Sequence, residues 1–250
     1  MSFVLYEPRG HVVLITMDRP DKLNALNCAM IEEMAQVWAQ LDQDPNARVA
    51  VLTGAGRAFC VGLDMAEMAE GKMAPTILQT MVPNRFSPRT QSKPVVAAIN
   101  GPALGAGLDF VAMDCDVLVA AEGATFGMPE VAFGMASLGS PFAAAQVPRA
   151  VAMEMFLTGE PITARRAYEV GFVNRVVPQD QVLPAALEIA GRIAQNAPNA
   201  VRQSRKNLWD ASLASEASRI GETFAAHRPD MRQSAAKGVD AFIKKQRPAW

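Results

Sequence analysis

Two carboxylates and two runs of small residues carry the chemistry that this chain can do. Glu130 lies in "ATFGMPEVAFG" (124–134), directly after a proline in an otherwise apolar stretch, and Asp109 closes the glycine-rich run "NGPALGAGLDF" (100–110). A carboxyl group at such a place is either a cap for a helix start or a desolvated acid with a raised pKa. The run that holds Asp109 follows the apolar "KPVVAAI" and precedes a helical pattern, and "GAGRAFCVGLDM" (54–65) does the same after "VAVLT". Glycines in such turns let a ligand approach the main chain. Two strand-to-helix turns can aim two backbone N–H groups at one oxygen, which stabilises an enolate or a tetrahedral oxyanion because the donors are fixed before charge develops. Taken singly, either run also reads as a tight connection and nothing more.

Other chemistries are set aside by residue type and spacing. Glycines 101, 105 and 107 make G-x-x-x-G-x-G rather than the dinucleotide pattern G-x-G-x-x-G, and Leu108 and Asp109 occupy the positions where a P-loop carries Lys and Ser or Thr. The anion to be cradled is therefore not expected to be a phosphate. His11 opens an apolar run and His227 sits beside Arg228-Pro229, each without a recognisable partner, so neither a histidine triad nor a histidine metal site is expected. Cys60 stands where a thiol can be activated, between strand and helix, yet a small buried residue is the expected role. Ser140, in "LGSPF", reads as a helix cap before Pro141. The three cysteines are odd in number and lack C-x-x-C spacing, so no disulfide framework or metal is expected and a reducing, cytoplasmic setting fits.

The elements that must position these groups follow from periodicity. "HVVLITM" (11–17) and "VAVLT" (49–53) are β-branched runs flanking the helical pattern "AMIEEMAQVWAQL", a strand, helix, strand unit. "PVVAAIN", a short helix near 106–113 and "CDVLVAA" repeat the pattern, so the first part is α/β. From residue 181 four helical patterns follow without a strand, which divides the chain into an α/β core over 1–180 and a helical region over 181–250. Residues 70–92 are rich in proline and polar groups and read as a flap. Methionines 65, 68, 73, 81 and 113 either line an acyl pocket or fill the core and flap.

With 250 residues, half of them hydrophobic, the chain has material for a large core, and its net charge of −1 gives no bulk attraction for nucleic acid or an anionic membrane. The start "MSFVLYEPRGH" lacks the pattern of a signal peptide, and no run reaches membrane-spanning length.

Five stretches, in order, carry a family resemblance: "MDRPDKLNAL" (17–26), "GRAFCVGLD" (56–64), "NGPALGAG" (100–107), "CDVLVAAEGATFGMPE" (115–130) and "AMEMFLTGEPITARRAYEVGFVNRVVP" (152–178). Together they resemble the crotonase family, the enoyl-CoA hydratases and isomerases, over nearly the whole chain. The resemblance implies an α/β, crotonase-like (ClpP/crotonase) spiral of ββα units with a C-terminal helical trimerisation region. It implies an acyl-CoA thioester as substrate, a stabilised enolate, a homotrimer or dimer of trimers, and no cofactor, coenzyme A being part of the substrate. Carried over by position, the oxyanion donors are the N–H groups of Leu63 and Ala106. Leu23, Ala25 and Val61 match the groove for coenzyme A, Asp64 and Met65 continue that wall, Gly105 and Gly107 flank the second donor, and Phe242 and Lys245 match tail residues that reach coenzyme A.

Hydration in this family uses two glutamates, and Glu130 matches the second. The first falls on Asp109, one methylene shorter, when counted from the glycine turn. The interval from Gly107 to Asp116 is one residue longer than usual, so counting back from Asp116 places Phe110 at the acid and Gly107 at the second donor. "ASLGSP" also replaces a P-x-x-G-G turn. Reversible addition of water to a trans-2-enoyl-CoA is the leading expectation. A double-bond isomerase, or another acyl-CoA lyase or hydrolase using Glu130 alone, is the alternative, and a non-catalytic acyl-CoA or RNA binding module is a third.

Overall fold

A computed structural model of the chain describes residues 2–73, 87–136, 146–213, 240–241, 243–244 and 246. The β-branched runs become the inner strands of one sheet. β2 (Val12–Met17), β3 (Val49–Gly54), β4 (Val95–Ile99) and β6 (Val117–Ala121) lie side by side and parallel. β3 and β4 are buried along their whole lengths, as strands of a parallel sheet covered on both faces must be. β1 (Val4–Arg9) adds antiparallel to β2 at one edge, and β9 (Arg175–Val177) adds parallel to β6 at the other. His11 does not open β2; it lies in the turn after β1, its Nδ1 2.8 Å from the carbonyl oxygen of Asn46.

α1 (Cys28–Gln43) connects β2 to β3 as the periodicity predicts. The side chain of Asn27 accepts the N–H of Met30 and starts the helix, and Met30, Ile31, Met34, Val37, Trp38 and Leu41 form its buried stripe. After β4 the chain forms a smaller sheet in the order β5-β7-β8, from β5 (Ala103–Leu104), β7 (Thr125–Gly127) and β8 (Ile162–Thr163). β5 is part of the glycine-rich run and β7 ends three residues before Glu130, so their parallel pairing brings the two stretches together.

α2 (Met65–Ala69) follows the first glycine turn, and α3 (Arg149–Thr158) and α4 (Ala164–Glu169) precede β9. α5 (Val182–Gln195) lies on the large sheet against β2, β3, β4, β6 and β9, with Ala186, Ala190 and Ala194 on its buried side. α6 (Pro198–Leu213) reaches back to the core through Arg205. The Arg205 Nε donates to Asp116 Oδ2 at 2.8 Å, the Trp209 Nε1 donates to Asp116 Oδ1 at 2.7 Å, and the N–H of Val95 donates to Asp116 Oδ2 at 2.7 Å. The third expected helical pattern, and most of the flap over 70–92, lie outside the described residues, as does most of the fourth pattern.

Candidate active site

Three loops stack edge to edge to make the site. The side chain of Asn24 holds the first to the second: its Nδ2 donates to the carbonyls of Ala55 and Ala58, both at 2.9 Å, while its Oδ1 accepts the N–H of Arg19. Leu23 and Asn24 both take the left-handed conformation, at φ 53° and 57°, which is strained for leucine and tolerated by asparagine. The next contact is a short parallel bridge between Leu26 and Leu63, and the one after it is a bridge between Cys60 and Ala103. Glycines allow this stacking. A Cβ on Gly107 would lie 2.3 Å from the carbonyl oxygen of Cys60, and one on Gly101 would lie 2.1 Å from that of Arg57.

The bridges also decide where the backbone donors point. The Gly62 carbonyl accepts the N–H of Leu26 at 2.7 Å, and the N–H of Asp64 donates to the Leu26 carbonyl at 2.9 Å. In a planar trans peptide the N–H of Leu63 must then point away from Leu26, toward the glycine-rich turn. There, the place a Cβ of Gly62 would occupy is 3.4 Å from the nitrogen of Ala106 and 3.6 Å from the Cα of Gly105. Among the described residues neither the N–H of Leu63 nor that of Ala106 has an acceptor. Two unpaired backbone donors, from two different turns, are therefore neighbours.

The helix beginning at Ala106 is a π-helix over Gly107–Ala112. The N–H of Met113 donates to the carbonyl of Leu108, five residues back, at 2.8 Å. This wide turn falls between Gly107 and Asp116, the interval over which the two counts differ. Ala106 lies ahead of the wide turn and Cys115 and Asp116 lie behind it; Gly107 and Asp109, with Phe110, fall within it. Asp109 is buried, and its N–H donates to the carbonyl of Gly105 at 2.9 Å.

Glu130 lies in the 3-10 turn Pro129–Phe133, with proline at its start and Gly134 closing it at φ 70°. A Cβ on Gly105 would stand 2.7 Å from the Oε1 of Glu130. Gly105 thus accepts the backbone N–H of Asp109 and, having no side chain, leaves the space that the carboxyl of Glu130 fills. The Oε2 of Glu130 is sealed from solvent and has no hydrogen-bond partner among the described residues. Burial pushes the carboxyl up to about 7, against a small downward pull from its own N–H. A group with that pKa exchanges protons in either direction near neutrality.

The remaining sequence candidates fall as follows. Leu23, Ala25, Val61 and Met65 are half-buried around the first two loops. Asp64 accepts the N–H groups of Ala66 and Glu67 at the start of α2 and is ion-paired with Arg19 at 2.7 Å. Phe242, Lys245, Ser140, His227 and Met81 lie outside the described residues. Cys60 is fully buried, and burial pushes its thiol up to about 12, so it is a packing residue as expected. Met73 and Met113 are core residues. Arg19 and Asn24 are the site-building residues missed from the sequence, although "MDRPDKLNAL" contains both. A polar side chain that can adopt the left-handed region was the one local signal for Asn24. Among the described residues no group of histidine, cysteine and carboxylate side chains could hold a metal ion.

A family model described as enoyl-CoA hydratase/isomerase matches residues 7–250. A mevalonyl-coenzyme A hydratase of Aspergillus fumigatus is 36% identical, over 97% of this chain and 92% of its own. The 2,3-dehydroadipyl-CoA hydratase of Escherichia coli is 35% identical, over 99% of this chain and 98% of its own. The crystal structure of a carnitinyl-CoA hydratase from Mycobacterium avium superposes with a TM-score of 0.89 at 35% identity, over 100% of this chain and 98% of that one.

Proposed function

The chain belongs to the enoyl-CoA hydratase/isomerase family of the crotonase superfamily and has its fold, and on that premise we propose that it is a hydratase that adds water reversibly to a trans-2-enoyl-CoA. Relatives of similar length that are named hydratases favour hydration over double-bond isomerisation. The single observation that carries the chemistry is the buried carboxyl of Glu130, pushed up by burial and seated against Gly105, beside the two unpaired N–H groups.

In this reading Glu130 starts as a carboxylate and Asp109 holds the water by hydrogen bond. The water oxygen bonds to C3, Glu130 takes its proton, and the π electrons of the double bond move through C2 to the thioester oxygen. The N–H groups of Leu63 and Ala106 hold that oxyanion, and loss of one such donor typically raises a barrier by ~2.7 to 4 kcal/mol. Glu130 then delivers the proton to C2 and returns to its starting state. As drawn, the cycle uses no metal, flavin or nicotinamide; coenzyme A belongs to the substrate.

Leu23, Ala25, Val61 and Met65 are assigned to the coenzyme A side of the site, joined by Phe242 and Lys245 from the tail. Asp64 enters that wall only through its backbone, since its carboxylate is engaged by Arg19 and α2. The helical region over 181–250 is assigned to a homotrimer or dimer of trimers, with no nucleic-acid partner. A reducing, cytoplasmic setting is the reading that its three free thiols support. No helix of the described residues is long and apolar enough to cross a membrane. The test is Glu130→Gln. Turnover should fall by roughly 10²- to 10⁴-fold for loss of a proton carrier, while calorimetry shows coenzyme A binding intact. Full turnover by the variant would overturn the assignment.

A further inference from the structure

The pairing that aims the Leu63 N–H is clamped at its edge by one side chain. The Arg19 Nη1 donates to the carbonyl of Ala25 at 2.9 Å and lies 2.7 Å from the Oδ2 of Asp64. Ala25 immediately precedes Leu26 and Asp64 immediately follows Leu63, so a single guanidinium spans the two chain segments whose bridge fixes the Leu63 peptide plane. The side chains of Arg19 and Asp64 are 14% and 11% exposed, and at that burial removing one partner leaves an uncompensated charge.

Arg19 is itself held from three sides. Its N–H donates to Asn24 Oδ1 at 2.9 Å, its carbonyl accepts the N–H of Asn24 at 2.9 Å, and its guanidinium lies over the ring of Phe3 at 6.0 Å. Burial alone would push the Asp64 carboxyl up; Arg19 and the two N–H groups of α2 hold it below the ordinary range. The carboxylate is therefore charged throughout the working range of Glu130. The guanidinium fork suits this task because it reaches a carbonyl and a carboxylate at once with fixed geometry, which an ammonium does not.

We propose that Arg19 is a positioning residue for hydration: by clamping Ala25 to Asp64 it holds the Leu63 N–H on the thioester oxygen. This rests on Leu63 being an oxyanion donor. Removing the clamp leaves the groove for coenzyme A in place but lets the Leu26–Leu63 bridge slide, so the loss falls on the transition state rather than on substrate binding.

The experiment uses Arg19→Met, Arg19→Lys, Asp64→Asn and the Arg19→Met/Asp64→Asn pair. Two quantities are read: steady-state hydration of a short trans-2-enoyl-CoA, and the infrared carbonyl band of bound butyryl-CoA labelled with carbon-13 at C1, which is unreactive. Arg19→Met should lower kcat about 10- to 100-fold, less than outright loss of a donor, with KM within about threefold. The bound carbonyl should lose most of the downshift seen with the unaltered protein. Arg19→Lys should recover part of both, and the paired variant should be no worse than its worse single member, because the two residues act as one clamp. Arg19→Lys and Asp64→Asn carry the test if Arg19→Met fails to fold. A carbonyl band unmoved on binding the unaltered protein would remove the oxyanion reading and this proposal with it. A normal downshift that survives in Arg19→Met and Asp64→Asn, or additive losses in the pair, would overturn the proposal alone.

Discussion

The Oε1 of Glu130 occupies the space that a side chain on Gly105 would fill: a methyl group there would stand 2.7 Å from that oxygen. Gly105 is also at φ +52°, in the left-handed region. The glycine-rich turn is thus shaped around a carboxylate that arrives from a stretch 25 residues further along the chain.

Gly105→Ala tests that relationship. The atom a new Cβ meets is the end of a flexible side chain, so the fold should survive at a cost of about 1 to 2 kcal/mol for the left-handed alanine. Displacing the carboxyl by about 1 Å should lower kcat about 100-fold. Circular dichroism melting and hydration kinetics on the same preparation separate the two effects, and a variant of normal activity would contradict the placement of Glu130.

The pH profile follows from the burial of Glu130. Its carboxyl must be ionised to take the proton from water, and it titrates at about 7. kcat/KM for hydration should therefore rise with pH, reach half its plateau near pH 7, and stay level above. An ordinary exposed glutamate would hold the plateau down to about pH 5. A rate independent of pH between 5 and 8 would show that another group carries the proton.

The same burial makes Glu130 a cost to stability at alkaline pH. Below its unfolded value of about 4.3 the group is neutral in both states. As the pH rises from there toward the folded value of about 7, the unfolded chain ionises while the folded group stays protonated, so stability is lost across that window and levels off above it. Glu130→Gln should melt higher than the parent at pH 8.5, by about 1 to 2 kcal/mol after allowance for the partly solvated side chain. The difference should vanish at about pH 3.5, below the unfolded value. Equal melting at both pH values would remove the desolvation argument.

Asp116 ties the end of the π-helix to β4 and α6. Arg205→Met would leave Asp116, just ahead of β6, with Trp209 and the Val95 N–H as its hydrogen-bond donors among the described residues. Breaking a buried pair in this way typically costs about 3 to 5 kcal/mol, and urea unfolding of Arg205→Met should show a loss in that range. A loss under about 1 kcal/mol would place the pair with weak surface bridges.

Much of the scaffold was legible because its signals are local. The β-branched runs of β2, β3, β4 and β6, and the buried stripe of α1, declare themselves by periodicity alone. β1 hides its edge position behind Glu7, Pro8 and Arg9, and β5 and β8 are two residues long, set by partners rather than by propensity. Glu130 was legible by type but not by role, since cap and desolvated acid look alike until Gly105 is placed beside it. The two counts around Asp109 diverge within Gly107–Ala112, where the chain forms a π-turn that has no sequence signature. Arg19 was out of reach because its partners lie six residues away at Ala25 and forty-five away at Asp64.

The most direct measurement is mass spectrometry of a short trans-2-enoyl-CoA and its 3-enoyl isomer, each incubated with the protein and with Glu130→Gln. A gain of one water on the 2-enoyl thioester, absent with the variant, is the expected result. Interconversion of the two isomers without a change of mass, or no change in either, would contradict hydration.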